Sequence, residues 1–155
     1  MNNDFDAENE NGAWNSVQKT QEVTLSEFNN GNMIPIGAFF IDDFSFSKNI
    51  AKFKLIDVVG LLDKYTFYDG QVYNNVRAEV ILNAIFATAG IKKYTIDEEV
   101  GNILLSGYLA IQTCRKALQQ VCFACGAVAD DSRSDTIKVY KPDRYCLLYT
   151  SDAAD

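Results

Sequence analysis

The spacing of apolar residues changes partway along the 155-residue chain. Residues 21–28 alternate apolar and polar side chains, which is typical of a half-buried strand. In residues 78–89, apolar side chains instead recur every three or four positions, as on one face of a helix. Strands followed by helices predict an α+β fold, a single antiparallel β-rich domain with two helices packed on a sheet.

A turn signal follows the first predicted strand. Residues 29–32 are Asn-Asn-Gly-Asn, and both residue types tolerate positive φ. Residues 33–41 are predicted to form a second strand, so the two strands should pair as a hairpin. Pro35 cannot donate to the ladder, which favours an edge position or a bulge. Residues 42–47 are expected to break this strand.

A third alternating strand is predicted at residues 51–55, followed by a short apolar bend at 58–62 that Asp57 is expected to cap. A second turn is predicted around Asp69-Gly70, because this dipeptide is typical of turns. Residues 136–140 are predicted to form the last strand.

The first helix is expected to begin at a cap formed by Asn74 or Asn75 and to end near Gly90. Its apolar face is predicted to contain Ala78, Ile81, Leu82, Ile85 and Ala89. Val80, Ala84 and Phe86 would widen that face, so the helix should be covered on most sides. The residues between the two helices are interpreted as a connector.

The second helix is predicted to run from a Thr113 cap to about Val128, and it contains three cysteines. On a helical wheel Cys114 and Cys125 lie on the apolar face and Cys122 lies at its edge. A structural zinc site needs about four ligands, and a redox Cys-x-x-Cys normally opens a helix, where the thiol pKa is lowered. Core packing is therefore favoured over redox chemistry or metal binding.

Phe123 projects toward the polar side of the second helix. Another element of the same chain is expected to cover it, and contact with a second subunit is the alternative.

The composition of the chain argues against several classes of function. The formal charge is −7, which argues against binding to nucleic acid or to an anionic membrane surface. No apolar run approaches the ~20 residues of a membrane span. The chain has no histidine, so Ser-His-Asp and Cys-His catalytic systems are excluded within it. No catalytic, cofactor-binding or metal-ligating residue is predicted, and the expected protein is not an enzyme.

Three acidic clusters occur at residues 42–43, 97–99 and 130–131. Paired carboxylates can serve acid–base chemistry or calcium binding, but none of the clusters has the spacing of a calcium loop. All three are predicted to be solvated surface loops.

Two sets of stretches resemble the tail-hub proteins of bacteriophages and prophages, the baseplate hub and tail-tip or tail-endopeptidase proteins. The first set is Ile36-Gly37-Ala38-Phe39-Phe40-Ile41-Asp42, residues 53–63 with their Leu61-Leu62-Asp63 bend, and residues 67–73. The second is Gly107-Tyr108-Leu109, Arg115-Lys116-Ala117-Leu118-Gln119-Gln120, Gly126-Ala127-Val128 and residues 132–140. The resemblance covers about residues 20–142, and its motifs are patterns of packing and turns.

This resemblance implies a structural component of a phage or prophage tail, located in the virion and in the host cytoplasm during assembly. Its partners would be further copies of itself, in a ring that is usually trimeric, and other tail proteins. The resemblance transfers no catalytic residue. A hub fragment lacking its partner strands is expected to aggregate when expressed alone.

Three segments are expected along the chain. Residues 1–16 form a flexible or edge segment, and residues 17–144 form a single, partial tail-hub-like domain. Residues 145–155 are expected to be non-native, because residues 146–155 resemble the translation of a transposase sequencing adapter. The gene would then be truncated.

Two other functions stay open. A carbohydrate-binding or adhesin module would use the aromatic residues around Gly70, namely Tyr65, Phe67, Tyr68 and Tyr73. A non-catalytic part of a cell-wall hydrolase would require a catalytic domain beyond Arg144.

Overall fold

The computed structural model describes residues 12–47, 50–132 and 134–142. Contacts divide the chain into two compact units: a first unit, Met1–Leu61 with Ser132–Asp135, and a second unit, Leu62–Asp131 with Thr136–Asp155. The mixture of helices and mainly antiparallel strands confirms the α+β class. The span 17–144 as a single domain stays a prediction.

The predicted terminal segments fall largely outside the described residues. Of residues 1–16, the structure describes 12–16, in which Ala13–Ser16 is a short 3-10 helix. Residues 145–155, which include Cys146, lie outside the described residues altogether.

The first unit is built on an antiparallel sheet of three strands in the order β1 (Glu22–Asn29), β2 (Asn32–Ser47) and β3 (Ile50–Ile56). The predicted hairpin is confirmed, because Asn29 pairs with Asn32 across a two-residue turn. Asn30 and Gly31 both have positive φ, 49° and 84°, as a type I′ turn requires. The helical turn α1 (Val58–Leu61) follows β3.

The predicted break at residues 42–47 is wrong, since β2 continues through them. The register of the β2–β3 pair shifts between Ile41 and Asp43, which makes Asp42 the extra residue of a bulge. Its carboxylate lies 2.6 Å from the Lys54 ammonium. The bulge thus accommodates an acidic residue without ending the strand.

The bulge predicted near Pro35 is confirmed. The register of the β1–β2 pair shifts between Leu25 and Ser26, where Ser26 pairs with Pro35 and Leu25 pairs with Gly37. Because β2 lies between the other two strands, the alternative of an edge position is wrong.

The second unit surrounds two longer helices with short strands. Its elements are β4 (Thr66–Phe67), β5 (Val72–Arg77), α2 (Ala78–Thr88), β6 (Tyr94–Ile96), α3 (Glu98–Gly101), β7 (Leu104–Tyr108), β8 (Gln112–Thr113), α4 (Cys114–Cys125), β9 (Val128–Asp130) and β10 (Ile137–Tyr140). The expected connector between the helices therefore holds four elements. The last predicted strand is confirmed as β10, which pairs parallel to β6 and antiparallel to β9.

The core of the second unit lies between α2 and α4. All five residues predicted for the apolar face of α2 are buried, which confirms the helical periodicity. Phe86 is fully buried and its ring centroid lies 4.4 Å from that of Tyr94. Val80 is 55% exposed, so the expectation that α2 is covered on most sides is wrong at that position.

The predicted caps have mixed outcomes. Asn74 and Asn75 lie in β5 and do not cap α2. Asn75 instead has a φ of 56° at a register shift of the β5–β7 pair, and its N–H donates to Ser106 Oγ at 2.9 Å. Gly90 follows the end of α2 with a φ of 68°, as predicted for a C-terminal cap.

The start of α4 is confirmed and its predicted end is wrong. The N–H of Lys116 donates to the Thr113 hydroxyl, the expected cap. The helix ends at Cys125, because Gly126 adopts a left-handed conformation with a φ of 62°. Val128 consequently begins β9. None of the described helices has the length and apolar character needed to cross a membrane.

Candidate interaction surface

The cysteines of α4 are part of the core. Cys114, Cys122 and Cys125 are buried free thiols, which confirms the prediction of core packing. Burial raises the pKa of all three thiols, and with the nearby Cys125 it raises the pKa of Cys122 to about 11. The thiols are therefore protonated near neutral pH. Among the described residues, no group of three or more His, Cys, Asp or Glu side chains could hold a metal ion.

The first acidic cluster does not lie in a loop as predicted. Asp42 and Asp43 belong to β2, where Asp42 pairs with Lys54 and Asp43 lies 3.0 Å from the Lys19 ammonium. The hydrogen bond and positive charge of Lys19 hold the pKa of Asp43 below its ordinary value. The Asp42–Lys54 pair thus joins β2 to β3 at the bulge, and the Asp43–Lys19 pair joins β2 to the residues that precede β1.

The second and third clusters also have partners, both within the second unit. Glu99, in α3, forms an ion pair with Lys141. Asp130, at the end of β9, accepts a hydrogen bond of 3.4 Å from the Tyr140 hydroxyl. Both belong to regular elements, so the expectation of loops is wrong for them as well.

Two further carboxylates have structural roles. Asp57 accepts a hydrogen bond from the N–H of Gly60, which confirms that it caps α1. Asp63, to which sequence reasoning gave no role, accepts hydrogen bonds from Arg115 at 2.9 Å and from the Thr113 hydroxyl at 3.3 Å. This pairing ties the start of α4 to residues 50 positions earlier, a separation that no local pattern reveals.

The four aromatic residues around Gly70 do not share one surface. Phe67 is fully buried, whereas Tyr68 is 76% exposed and Tyr65 and Tyr73 are half-buried. Phe67 belongs to β4, which pairs with β8. The grouping that a carbohydrate-binding module would need is therefore not formed by these side chains.

Phe123 is the most exposed of the large apolar side chains in the described part of the chain, at 89%. The expectation that another element of the chain covers it is wrong. Its neighbours on a shallow groove are polar: Gln112, Lys116, Gln119 and Gln120. Exposure follows from its position on α4, whose buried face is formed by residues such as Leu118 and Val121.

An apolar pocket lies next to this groove in the second unit. It is formed by β5, β7, α2 and α4, and its cavity volume is about 140 Å³. Its lining residues are Tyr73, Ile81, Leu105, Ser106, Gly107, Tyr108, Leu109, Gln120, Val121 and Ala124. Gln120 lines both the pocket and the groove. We call Phe123, the groove and the pocket together the α4 surface.

The chain is similar to known proteins in its fold. No protein-family model and no curated protein matches the chain. Among solved structures, the 43 kDa tail protein of prophage MuSo2 from Shewanella oneidensis matches with a TM-score of 0.53 and 14% sequence identity. Two structures of a proposed anti-sigma factor from Parabacteroides distasonis ATCC 8503 match with TM-scores of 0.40 and 0.39, at 14% and 13% identity.

The extent of these matches differs between the proteins compared. The match to the prophage protein covers 79% of this chain and 39% of that chain. The matches to the proposed anti-sigma factor cover 81% of this chain and 56% and 57% of those chains. The chain therefore has a fold like that of part of a phage tail protein.

Proposed function

We propose that this chain is a structural component of a phage or prophage tail, in the baseplate hub or tail tip, and that it acts by subunit packing without catalysis. The observation that supports this most is the fold similarity to the MuSo2 tail protein. The packing and turn motifs of residues 36–73 and 107–140, which resemble tail-hub proteins, independently favour the same class.

The distribution of apolar side chains supports a role in assembly. In the first unit the hairpin end carries Phe28 and Met33, which pair across β1 and β2 and are both largely exposed. In the second unit, Phe123 and Tyr108 are largely exposed. Exposed apolar groups of this kind favour protein–protein contact. The proposed partners are further copies of the chain, arranged in a ring such as a trimer, and other tail proteins.

Five of the described carboxylates have structural partners, which favours a role without catalysis. Asp42, Asp43, Asp63 and Glu99 are ion-paired with lysine or arginine, and Asp57 caps a helical turn. Carboxylates held in this way stabilise the fold. The pKa of the α4 thiols is raised by burial, which makes them poor nucleophiles.

Immunogold electron microscopy tests the proposed function. Antibodies raised against the chain should label the tails of particles released from the source culture, at the end distal to the head. The matched control is serum depleted on the purified chain. Protein found in the cell fraction, with no label on any particle, would contradict the proposal.

The genomic surroundings of the source gene separate the remaining alternative. A tail protein should lie beside genes for tape-measure and baseplate proteins. A peptidoglycan-hydrolase domain directly downstream would instead place this chain in a cell-wall hydrolase.

A further inference from the structure

Phe123 and the apolar pocket are neighbours on α4, yet they do not meet within one molecule. Ala124 lines the pocket, whereas Phe123 lies on the adjoining groove. Consecutive residues of a helix point about 100° apart around its axis. Phe123 therefore cannot reach the pocket of its own chain while α4 remains helical.

The size and chemistry of the pocket suit a phenyl ring. Its volume is about 140 Å³, close to that of an enclosed apolar cavity of about 150 Å³ that binds benzene in another protein, so this open pocket has room for one ring. Aliphatic and aromatic groups such as Leu105, Tyr108 and Val121 contribute to its wall. A ring that leaves water for such a pocket gains the free energy of apolar burial.

The charge of the α4 surface favours a second copy of this chain as the occupant. The chain contains 21 acidic residues and has a net charge of −7, so copies repel one another at most approaches. None of the described residues that line the pocket or the groove is acidic, and Lys116 is the one charged residue among them. The amides of Gln112, Gln119 and Gln120 both donate and accept hydrogen bonds, so this surface can face its own copy.

We propose that Phe123 of one copy inserts into the apolar pocket between β7 and α4 of a second copy. The proposal rests on the proposed function, for which it identifies one subunit contact. Because Gln120 lines both the pocket and the groove that carries Phe123, the same face of each copy can insert its ring and receive one, as in an isologous contact between two copies.

Two variants separate the two halves of the contact. Phe123→Ser removes the inserted ring and leaves the pocket intact. Ala124→Trp fills the mouth of the pocket and leaves Phe123 in place. Val80→Ser is the matched control, because Val80 is an exposed apolar residue on α2 outside the α4 surface. Light scattering coupled to size-exclusion chromatography measures the mass of each variant and of mixtures.

The wild-type chain and the Val80→Ser control are expected to assemble. Each of the other two variants alone is expected to stay monomeric and to unfold cooperatively, which shows that it is folded. An equimolar mixture of the two should form a dimer, because one chain supplies the pocket and the other supplies Phe123. A monomeric wild type, an assembling Phe123→Ser variant or a mixture that remains monomeric would overturn the proposal.

Cross-linking provides a second measurement should any variant misfold or aggregate. The variant Phe123→p-benzoylphenylalanine is irradiated, and the linked peptides are identified by mass spectrometry. Links to the peptides that contain Tyr73 or Leu105 of a second copy are expected. Links to other regions, or no link between copies, would overturn the contact. The tail proposal would be unaffected, since immunogold labelling decides it separately.

Discussion

The two units of the molecule bury their apolar side chains to different extents. In the second unit Phe67, Leu82 and Phe86 are completely buried around α2 and α4. In the first unit several large apolar residues of the sheet are exposed by 38% or more, namely Leu25, Phe28, Met33, Ile34, Ile36, Ile50 and Phe53. The first unit also has fewer layers, since its described elements are one sheet, a 3-10 helix and one helical turn.

This difference indicates which unit supplies the stability of the chain and which unit leaves apolar residues of its sheet uncovered. A unit with its own apolar core has the means to fold independently. A sheet with exposed apolar residues gains free energy when another surface covers it. We therefore expect the second unit, which holds most of the buried apolar side chains, to carry most of the stability of the chain.

Replacing one phenylalanine in each unit should give the largest contrast in the free energy of unfolding. Phe86→Ala should lower the free energy of unfolding by about 3–5 kcal/mol, because it removes a fully buried ring and leaves a cavity. Phe28→Ala, at a side chain that is 71% exposed, should change it by about 0.5 kcal/mol or less. Guanidinium chloride denaturation measures both. Equal losses would show that the two units do not differ as described.

Replacing one glycine in each unit should give a smaller contrast in stability. A Cβ on Gly70 would lie 2.6 Å from the backbone N of Ile111, so Gly70→Ala should cost about 1–3 kcal/mol. At Gly31 no atom lies within 4 Å of the added Cβ, and asparagine tolerates its positive φ. Gly31→Asn should therefore leave the melting temperature nearly unchanged. A Gly70→Ala variant as stable as wild type would show that the loop at Gly70 can move away from Ile111.

The buried thiols predict that the second unit loses stability at alkaline pH. The first unit contains no cysteine. Burial raises the folded pKa of Cys122 from 9.0 to about 11. Between these values the unfolded chain loses the thiol proton and the folded chain keeps it, so the free energy of unfolding should fall as pH rises. Denaturation at successive pH values measures the slope. Cys122→Ala should reduce it, and a slope unchanged in that variant would rule out Cys122 as its cause.

Sequence reasoning succeeded where the determining contacts are local. The Asn30-Gly31 turn, the apolar face of α2 and the Thr113 cap each depend on residues within a few positions of one another. These signals identified both units' main elements and the core position of the cysteines.

Sequence reasoning failed where the residues that contact one another lie far apart in the sequence. The strand through Asp42 continues because β3 pairs with it beyond the bulge, from Asp43 opposite Lys54 to Ser47 opposite Ile50. Asn75 lies in a strand because β7 pairs with β5. The helical wheel already placed Phe123 on a polar face, but the apolar pocket next to its groove is assembled from β5, β7, α2 and α4. No single stretch of sequence contains that pocket.

The smallest effect expected is at an exposed ion pair of the first unit. Lys19 holds the pKa of Asp43 below its ordinary value, so Lys19→Gln should raise that pKa toward the ordinary value. A carboxyl with a lowered folded pKa stabilises the fold at pH values above its unfolded pKa, and this contribution disappears as pH falls. The variant should therefore lose slightly less stability than wild type on acidification. NMR titration of the Asp43 carboxyl measures the shift directly. Lys52→Gln on β3 is the control, and an equal change in the Asp43 pKa in both variants would mean that general charge, rather than the Lys19 contact, lowers it.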